Sequence, residues 1–172
     1  MKHLNTPQLS LDRLRLIDEQ QFDIRIATDG RWFHEGDEIR RIELVKLFAS
    51  VLMRDRTGDY WLVTPVEKGR ITVDDAPFIV CEMFVVSGAD KRANEIHFRT
   101  TLDENIVLNA AHPIFLHPAD NVQNFRPYIL VRNGLLAKLS RPVYYQLAEH
   151  AEKGPDGRLG VWSHKQFFAL EL

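Results

Sequence analysis

The sequence predicts an α+β fold of two similar small units, each built from antiparallel strands packed on one main helix. Apolar and polar residues alternate in several short segments, a pattern typical of half-buried strands. Apolar residues recur at helical spacing over residues 40–53, and a second helical pattern covers residues 141–152. Each helix follows a strand, an Asx-Gly turn and a strand, and each precedes a glycine turn and a further strand. This shared order indicates either an internal duplication or a chance recurrence of a common ββαβ unit.

The first unit is predicted to span residues 22–87, after a lead-in over residues 1–21 that is polar with scattered leucines. Asp29-Gly30 is a turn signal because glycine accepts positive φ at no steric cost, so it joins the first two strands as a hairpin. The helix over residues 40–53 follows this hairpin. Strands with alternating or apolar patterns are predicted at residues 22–27, 31–34, 60–63, 71–73 and 78–86.

The second unit is predicted to span residues 88–172, and the loop-like residues 87–90 mark its boundary. Asn133-Gly134 is a strong turn dipeptide between two predicted strands. The second helix follows, with Pro142 at a first-turn position where proline is tolerated. The remaining strands are predicted at residues 96–100, 106–108, 114–116, 128–131, 135–139, 161–162 and 167–172.

Composition and charge exclude several classes of protein. The 172 residues are 45% hydrophobic and 27% charged, as in ordinary globular proteins, which argues against a disordered chain. The formal net charge of -2 gives no global basic field for nucleic acid, and the single cysteine, Cys81, precludes an intrachain disulfide. The longest apolar stretch, residues 78–86, is far shorter than the ~20 residues of a membrane-spanning helix. We therefore expect a cytoplasmic protein with no nucleic-acid and no membrane partner.

Arg41 is the most informative single residue of the sequence. On a helical wheel it falls among the apolar residues of the first helix, in the first turn, where the helix dipole disfavours a cation. A buried guanidinium needs an acceptor, and Glu82 lies on an otherwise apolar strand face, so these two side chains are candidate partners. Two interpretations follow: Arg41 grips an anionic ligand, or it forms a structural ion pair. A third is that the helix begins later and leaves Arg41 in water.

Candidate catalytic residues do not form a complete set in the sequence. Cys81 lies inside an apolar strand, where a cysteine usually behaves as a small hydrophobe rather than a nucleophile. His112 and His117 have no cysteine or carboxylate at metal-ligand spacing, so no metal site is expected. No glycine-rich phosphate loop or nucleophile elbow is present, which indicates no cofactor. A hydrolase would have to draw on His34, Glu35, Asp74, Asp75 and His112.

Several phrases of the sequence together resemble one known family. The phrases are DIRI (23–26), DGRWFHEG (29–36), IRR (39–41), LVKLFA (44–49), LVTPVEK (62–68), VDDAPF (73–78), YILVRNGL (128–135) and RPVYY (141–145). With them the chain resembles the uncharacterised bacterial family called domain of unknown function 1285, from about residue 22 to about residue 149. The resemblance implies a cytoplasmic bacterial protein with two α+β parts and a binding or signalling role. It implies no catalytic residues.

The favoured hypothesis is a non-catalytic ligand-binding or signalling module with a groove between its two units, and an enzyme is the less favoured one. The expected ligand is a small anion or a protein partner, because Arg and Lys residues are dense near turns. The proposed walls of the groove are Trp32, Arg41, Glu67 and Lys68 on one side and Arg132 and Arg141 on the other. The alternatives are a hydrolase-type enzyme and a protein–protein adaptor, for which a homodimer is a further expectation.

Overall fold

A computed structural model describes residues 18–118 and 125–171 of the chain. Half of these residues lie in strands and 14% in helices. The strands form two six-stranded sheets and one three-stranded sheet. The predicted α+β class with helix-packed units is therefore wrong, because sheets supply most of the structure and each helix is only nine residues long. Of the predicted lead-in over residues 1–21, residues 1–17 lie outside the described residues.

The chain divides into two compact units. Among the described residues, unit 1 comprises residues 18–25 and 32–72, and unit 2 comprises residues 26–31, 73–118 and 125–171. The boundary that the sequence predicts after residue 87 stays a prediction.

Unit 1 consists of a single six-stranded sheet and one helix. Its elements are β1 (Glu19–Ile26), β2 (Trp32–His34), β3 (Asp37–Glu38), α1 (Ile42–Ser50), β4 (Leu52–Arg54), β5 (Tyr60–Val63) and β6 (Lys68–Val73). The strand order across the sheet is β3-β2-β1-β6-β5-β4. Helix α1 buries Val45 and Ala49. It ends earlier than its apolar pattern predicts, because Leu52 pairs with Leu62 of β5 and is buried there as a strand residue.

Unit 2 contains the second six-stranded sheet, a short 3₁₀-helix, a helix and a three-stranded sheet. Its elements are β7 (Phe78–Val86), the 3₁₀-helix (Lys91–Ala93), β8 (Glu95–Thr100), β9 (Asn105–Val107), β10 (Ile114–Pro118), β11 (Phe125–Arg132), β12 (Leu135–Leu139), α2 (Arg141–Glu149), β13 (Glu152–Lys153), β14 (Leu159–Ser163) and β15 (Gln166–Ala169). The order in the large sheet is β10-β11-β12-β7-β8-β9, and the small sheet is the meander β13-β14-β15.

The large sheet of unit 2 is mixed rather than purely antiparallel. Strand β12 runs parallel to β7, with Ala137 opposite Phe78 and Leu139 opposite Val80, and all four residues are buried. Helix α2 contributes the buried Leu147 to the core of this unit. Within the described residues, no helix is long and apolar enough to cross a membrane.

The tip of the β1–β2 hairpin, residues 26–31, belongs to unit 2. The backbone N–H of Asp74 donates to the carbonyl oxygen of Ile26 at 3.0 Å. Gly30 has a φ of 84°, and a Cβ at this position would lie 2.6 Å from Cγ1 of Ile79. The Asp29-Gly30 turn predicted from the sequence is therefore present, and it needs glycine both for its backbone conformation and for its close approach to β7.

Replacing Gly30 by alanine is expected to destabilise the protein more than replacing Gly157. Gly157 has a similar φ of 82°, but a Cβ added there would meet no described atom within 4 Å, so Gly157→Ala carries only the backbone cost of about 1–2 kcal/mol. Gly30→Ala adds overpacking against Ile79, which is worth about 1–3 kcal/mol more. Urea unfolding of both variants measures the difference in the free energy of unfolding. Equal losses for the two variants would contradict the close approach of the hairpin tip to Ile79.

Candidate functional site

Two of the predicted ligand-binding residues of unit 1, Trp32 and Glu67, lie in contrasting surroundings. Trp32 is buried in β2, and its ring stacks on Phe48 with the centroids 6.3 Å apart. The buried indole N–H of Trp32 has no hydrogen-bond partner among the described residues. Glu67 is exposed in the turn before β6, where its backbone N–H donates to Oγ1 of Thr64 at 3.0 Å. Burial of Trp32 makes it a core residue, whereas the carboxylate of Glu67 faces solvent.

The burial of Arg41, on which the first two interpretations of this residue depend, is wrong, and the third interpretation, a helix that begins later, is confirmed. Arg41 is the N-cap residue of α1 with extended backbone angles, and its side chain is exposed. The helical wheel places it among apolar residues only if the helix begins at or before Arg41, and the helix begins at Ile42. Its expected partner Glu82 is exposed and pairs with Arg99 at 2.5 Å. Arg141, in the first turn of α2, is also exposed, so a ligand-binding role for either arginine stays a prediction.

The other two predicted cations are already engaged by carboxylates. Nζ of Lys68 lies 2.5 Å from Oε1 of Glu19 and 4.2 Å from the ring centroid of Trp61. Nη1 of Arg132 donates to both oxygens of Glu104, at 2.7 and 2.5 Å. Neither ion pair is fully exposed, and each of these cations already has a carboxylate partner within its own unit.

Of the residues of the hydrolase alternative, His34, Glu35, Asp75 and His112 have no hydrogen bond that joins two of them within the described part of either unit. His34 and Glu35 are exposed at the turn between β2 and β3. In the described part of unit 2, no hydrogen bond joins Asp75 to His112, and Nδ1 of His112 lies 3.0 Å from the carbonyl oxygen of Leu130. Among the described residues, no group of three or more His, Cys, Asp or Glu side chains is arranged to hold a metal ion.

Asp75 is the centre of a polar cluster in unit 2 that the sequence did not predict. Its Oδ1 accepts a hydrogen bond from the hydroxyl of Tyr128 at 2.6 Å, and its Oδ2 lies 2.7 Å from Nζ of Lys138. The same ammonium group donates to the carbonyl oxygen of Thr28 at 2.6 Å. Tyr128 and Lys138 are direct cross-strand partners on β11 and β12. The cluster therefore connects the sheet to the hairpin tip and to the segment before β7.

The contacts of this cluster shift two pKa values in opposite directions. Burial alone would raise the pKa of the Asp75 carboxyl, but hydrogen bonds from Lys138 and Tyr128 outweigh it and lower that pKa below its usual value. Burial and the hydrogen bond to Asp75 raise the pKa of Tyr128 to about 12. Asp75 is thus ionised and Tyr128 neutral at pH 7, and the Asp75 carboxylate accepts from both Tyr128 and Lys138. The cluster is a structural hydrogen-bond network rather than a site with an unpaired polar group that could bind a ligand.

A cavity of about 300 Å³ in unit 2 is the strongest candidate site. It lies where the end of α2 meets the end of β7, the 3₁₀-helix, β8 and β14. Its lining residues are Val85, Lys91, Asn94, Ile96, Glu149, His150, Ala151, Glu152 and Trp162. Four of these nine residues are apolar and five are polar or charged, so the cavity offers a ligand both kinds of contact.

The wall around the 3₁₀-helix is held in place by local hydrogen bonds. Oδ1 of Asp90 accepts from the backbone N–H groups of Arg92 and Ala93 at 2.8 and 2.9 Å, which caps the short helix. Oδ1 of Asn94 accepts from the backbone N–H of Gly88 at 3.0 Å. The guanidinium of Arg92 lies 4.7 Å from the ring centroid of Trp162. The amide of Asn94 and the ring of Trp162 are therefore held by contacts within the protein.

The cavity contains none of the six residues that the sequence proposed as ligand-binding. The signals for its lining residues are weak: residues 87–90 have loop composition and predict only a unit boundary, and Trp162 sits in a two-residue apolar pair. The cavity forms because segments about sixty residues apart meet, and such a meeting has no local signature. Lys91 and Asn94 directly follow the predicted unit boundary at residues 87–90. That boundary was therefore the sequence feature that came nearest to indicating the cavity.

Comparison with protein families agrees with the resemblance identified from the sequence. Residues 17–76 match the model of the domain of unknown function (DUF1285), N-terminal domain. Residues 77–170 match the model of the protein of unknown function (DUF1285), C-terminal domain. The predicted resemblance to this family is therefore confirmed. No curated protein matches the chain.

Two solved structures are similar to the chain. A DUF1285 family protein from Silicibacter pomeroyi DSS-3 has 36% sequence identity and a TM-score of 0.81, and the match covers 91% of this chain and 85% of that chain. A DUF1285 family protein from Shewanella baltica OS155 has 26% identity and a TM-score of 0.57, and the match covers 74% of this chain and 91% of that chain. Neither description names a ligand or an activity.

Replacing Tyr128 by phenylalanine is expected to lower the free energy of unfolding at pH 7 by about 1.5–3 kcal/mol, because the Asp75 carboxylate loses a donor. The folded pKa of Asp75 is lowered, so its stabilising contribution is present above the unfolded value of 3.8 and is lost as pH falls through the folded pKa. The difference between wild type and Tyr128→Phe should therefore shrink below about pH 4.

The matched control for this measurement is Tyr145→Phe, because Tyr145 is 65% exposed on α2. Urea unfolding at pH 7 and at pH 3 measures both variants against the wild type. A loss for Tyr145→Phe as large as that for Tyr128→Phe, or a difference that does not depend on pH, would contradict the structural function of the cluster.

Proposed function

Because the chain belongs to the DUF1285 family, whose descriptions assign no function, we propose a function from the geometry: a non-catalytic module that binds a small molecule in the unit 2 cavity. The observation that carries the proposal is the cavity of about 300 Å³, in which apolar residues and charged groups of both signs face the same space. Its volume falls at the lower end of the ~300–1,000 Å³ of small-molecule sites. A module that binds a ligand without transforming it would have a role in signalling or regulation.

The cavity lining contains no hydroxyl or thiol nucleophile. Among the described residues that line the cavity there is no serine, threonine or cysteine, and the ionisable side chains are those of Lys91, Glu149, His150 and Glu152. The free thiol of the chain, Cys81, lies outside this lining, and burial raises its pKa, which lowers its reactivity.

The charges at the cavity also differ from the other charges of unit 2. The side chains of Arg132 and Lys138 are held by Glu104 and Asp75. Among the described residues, Lys91 has no ion pair and is exposed at the cavity. A charge without a protein partner at the edge of a cavity is available to a ligand, which supports binding there. A protein partner and a homodimer stay predictions of the sequence.

The test is a thermal-shift screen of the full chain with anionic metabolites, nucleotides, amines and amino acids. A ligand present at about 100 times its Kd stabilises the folded state by about 2.7 kcal/mol, so a true ligand gives a saturable rise in Tm. Ala151→Phe is designed to fill the cavity, and Ala148→Phe places the same side chain on an exposed position of α2. We expect the rise in Tm to be lost in Ala151→Phe and kept in Ala148→Phe.

Two outcomes would contradict the proposed function. One is the absence of any saturable rise in Tm across the whole screen. The other is a rise that is equal in Ala151→Phe and Ala148→Phe, because the ligand would then bind elsewhere. The free energy of unfolding without ligand, measured for both variants, shows that each is folded.

A further inference from the structure

We propose that the ligand of the unit 2 cavity is a zwitterion of the free amino acid class, with an ammonium group and a carboxylate on an apolar body. This inference rests on the proposed function and adds the chemistry of the ligand. It is carried by the placement of opposite charges on two different elements that line one apolar cavity.

The end of helix α2 forms the acidic side of the cavity. Glu149 is the last residue of α2, and Glu152 begins β13 just beyond it. Both are exposed, and neither has an ion pair with another described residue. The carbonyl groups at a helix C-terminus add partial negative charge, and the last turn of α2 contains no basic residue. An ammonium group is therefore favoured at this side.

The 3₁₀-helix forms the basic side of the cavity. Lys91 is its first residue, and the carboxylate nearest in sequence, Asp90, is occupied as the cap of this helix. The side-chain oxygen of Asn94 accepts from Gly88, which leaves the amide nitrogen of Asn94 as a donor. An ammonium group and an amide donor suit a ligand carboxylate.

The apolar part of the lining lies with these two sides around the same space. Val85, Ile96 and Trp162 supply it, and Ile96 is buried. The ring of Trp162 is fixed by an edge contact with Phe167, whose centroid is 5.3 Å away, and by the guanidinium of Arg92. A side chain of aliphatic or aromatic character fits this surface.

A ligand with only one charge is opposed by one side of the cavity. An anion without an ammonium group meets the carboxylates of Glu149 and Glu152, and a cation without a carboxylate meets Lys91. A zwitterion pairs with both sides, which is why we favour it over the small anion that the sequence predicts. The volume of about 300 Å³ accommodates a free amino acid rather than a dinucleotide cofactor.

The experiment compares probes that share a phenyl body and differ in charge. L-phenylalanine carries both charges, 3-phenylpropanoate carries only the carboxylate, and 2-phenylethylamine carries only the ammonium group; L-leucine is an aliphatic zwitterion. Binding is followed by calorimetry and by tryptophan emission, since Trp162 lies at the cavity and Trp32 and Trp61 are buried in unit 1. We expect L-phenylalanine or L-leucine to bind at least about tenfold more tightly than either singly charged probe.

Variants at each side of the cavity identify the groups responsible. Lys91→Ala is expected to remove the preference for L-phenylalanine over 2-phenylethylamine. The double variant Glu149→Gln/Glu152→Gln is expected to remove the preference over 3-phenylpropanoate. The controls are Lys153→Ala and Glu43→Gln, which neutralise exposed residues outside the cavity lining and should keep both preferences.

The outcomes separate this inference from the proposed function. Equal or tighter binding of a singly charged probe overturns the zwitterion and leaves a small-molecule site. No binding of any of the four probes also overturns the zwitterion, while the proposed function stands if the wider screen yields a ligand that Ala151→Phe loses. Failure of the probes and of the screen together overturns both.

Discussion

The buried hydroxyl of Ser163 is the interaction on which the architecture of unit 2 depends most directly. It accepts a hydrogen bond from the backbone N–H of Ile96 at 3.0 Å and donates one to the carbonyl oxygen of Leu108 at 2.6 Å. Ile96 lies in β8 and Leu108 directly follows β9, and an unpaired buried polar group costs about 1–3 kcal/mol. One side chain therefore satisfies both backbone groups and attaches β14 to β8 and to the residue after β9. The position of Trp162, its neighbour in β14, follows from this attachment.

Charged groups of unit 2 fall into two kinds, and the distinction supports the proposed function. The side chains of Asp75 and Lys138 are mostly buried and form an ion pair inside a hydrogen-bond network, so their function is to stabilise the fold. Lys91, Glu149 and Glu152 surround a cavity and have no ion pairs with other described residues. Groups of the first kind are costly to remove, because the loss of one partner leaves a buried charge. Groups of the second kind are available for a ligand.

Local features of the fold were predictable from the sequence, and long-range ones were not. The Asp29-Gly30 and Asn133-Gly134 turns have positive φ at glycine as their dipeptides require. The family resemblance is confirmed because it depends on phrases rather than on arrangement. The fold class was wrong because each helical pattern yields a helix of only nine residues, whereas strands supply half of the described residues. Arg41 was misplaced by the one-residue uncertainty of a helix start, and the cavity was missed because it has no local signal.

The parallel pairing of β7 with β12 determines how late in synthesis the large sheet of unit 2 can be completed. Strand β7 emerges from the ribosome with β8 directly behind it, so one of its edges is covered early by an antiparallel neighbour. Its other edge waits for residues 137–139, after β8 to β11 have been made. During that interval the nascent chain exposes an apolar strand edge in the middle of the future sheet, which is the kind of edge that recruits chaperones or pairs wrongly.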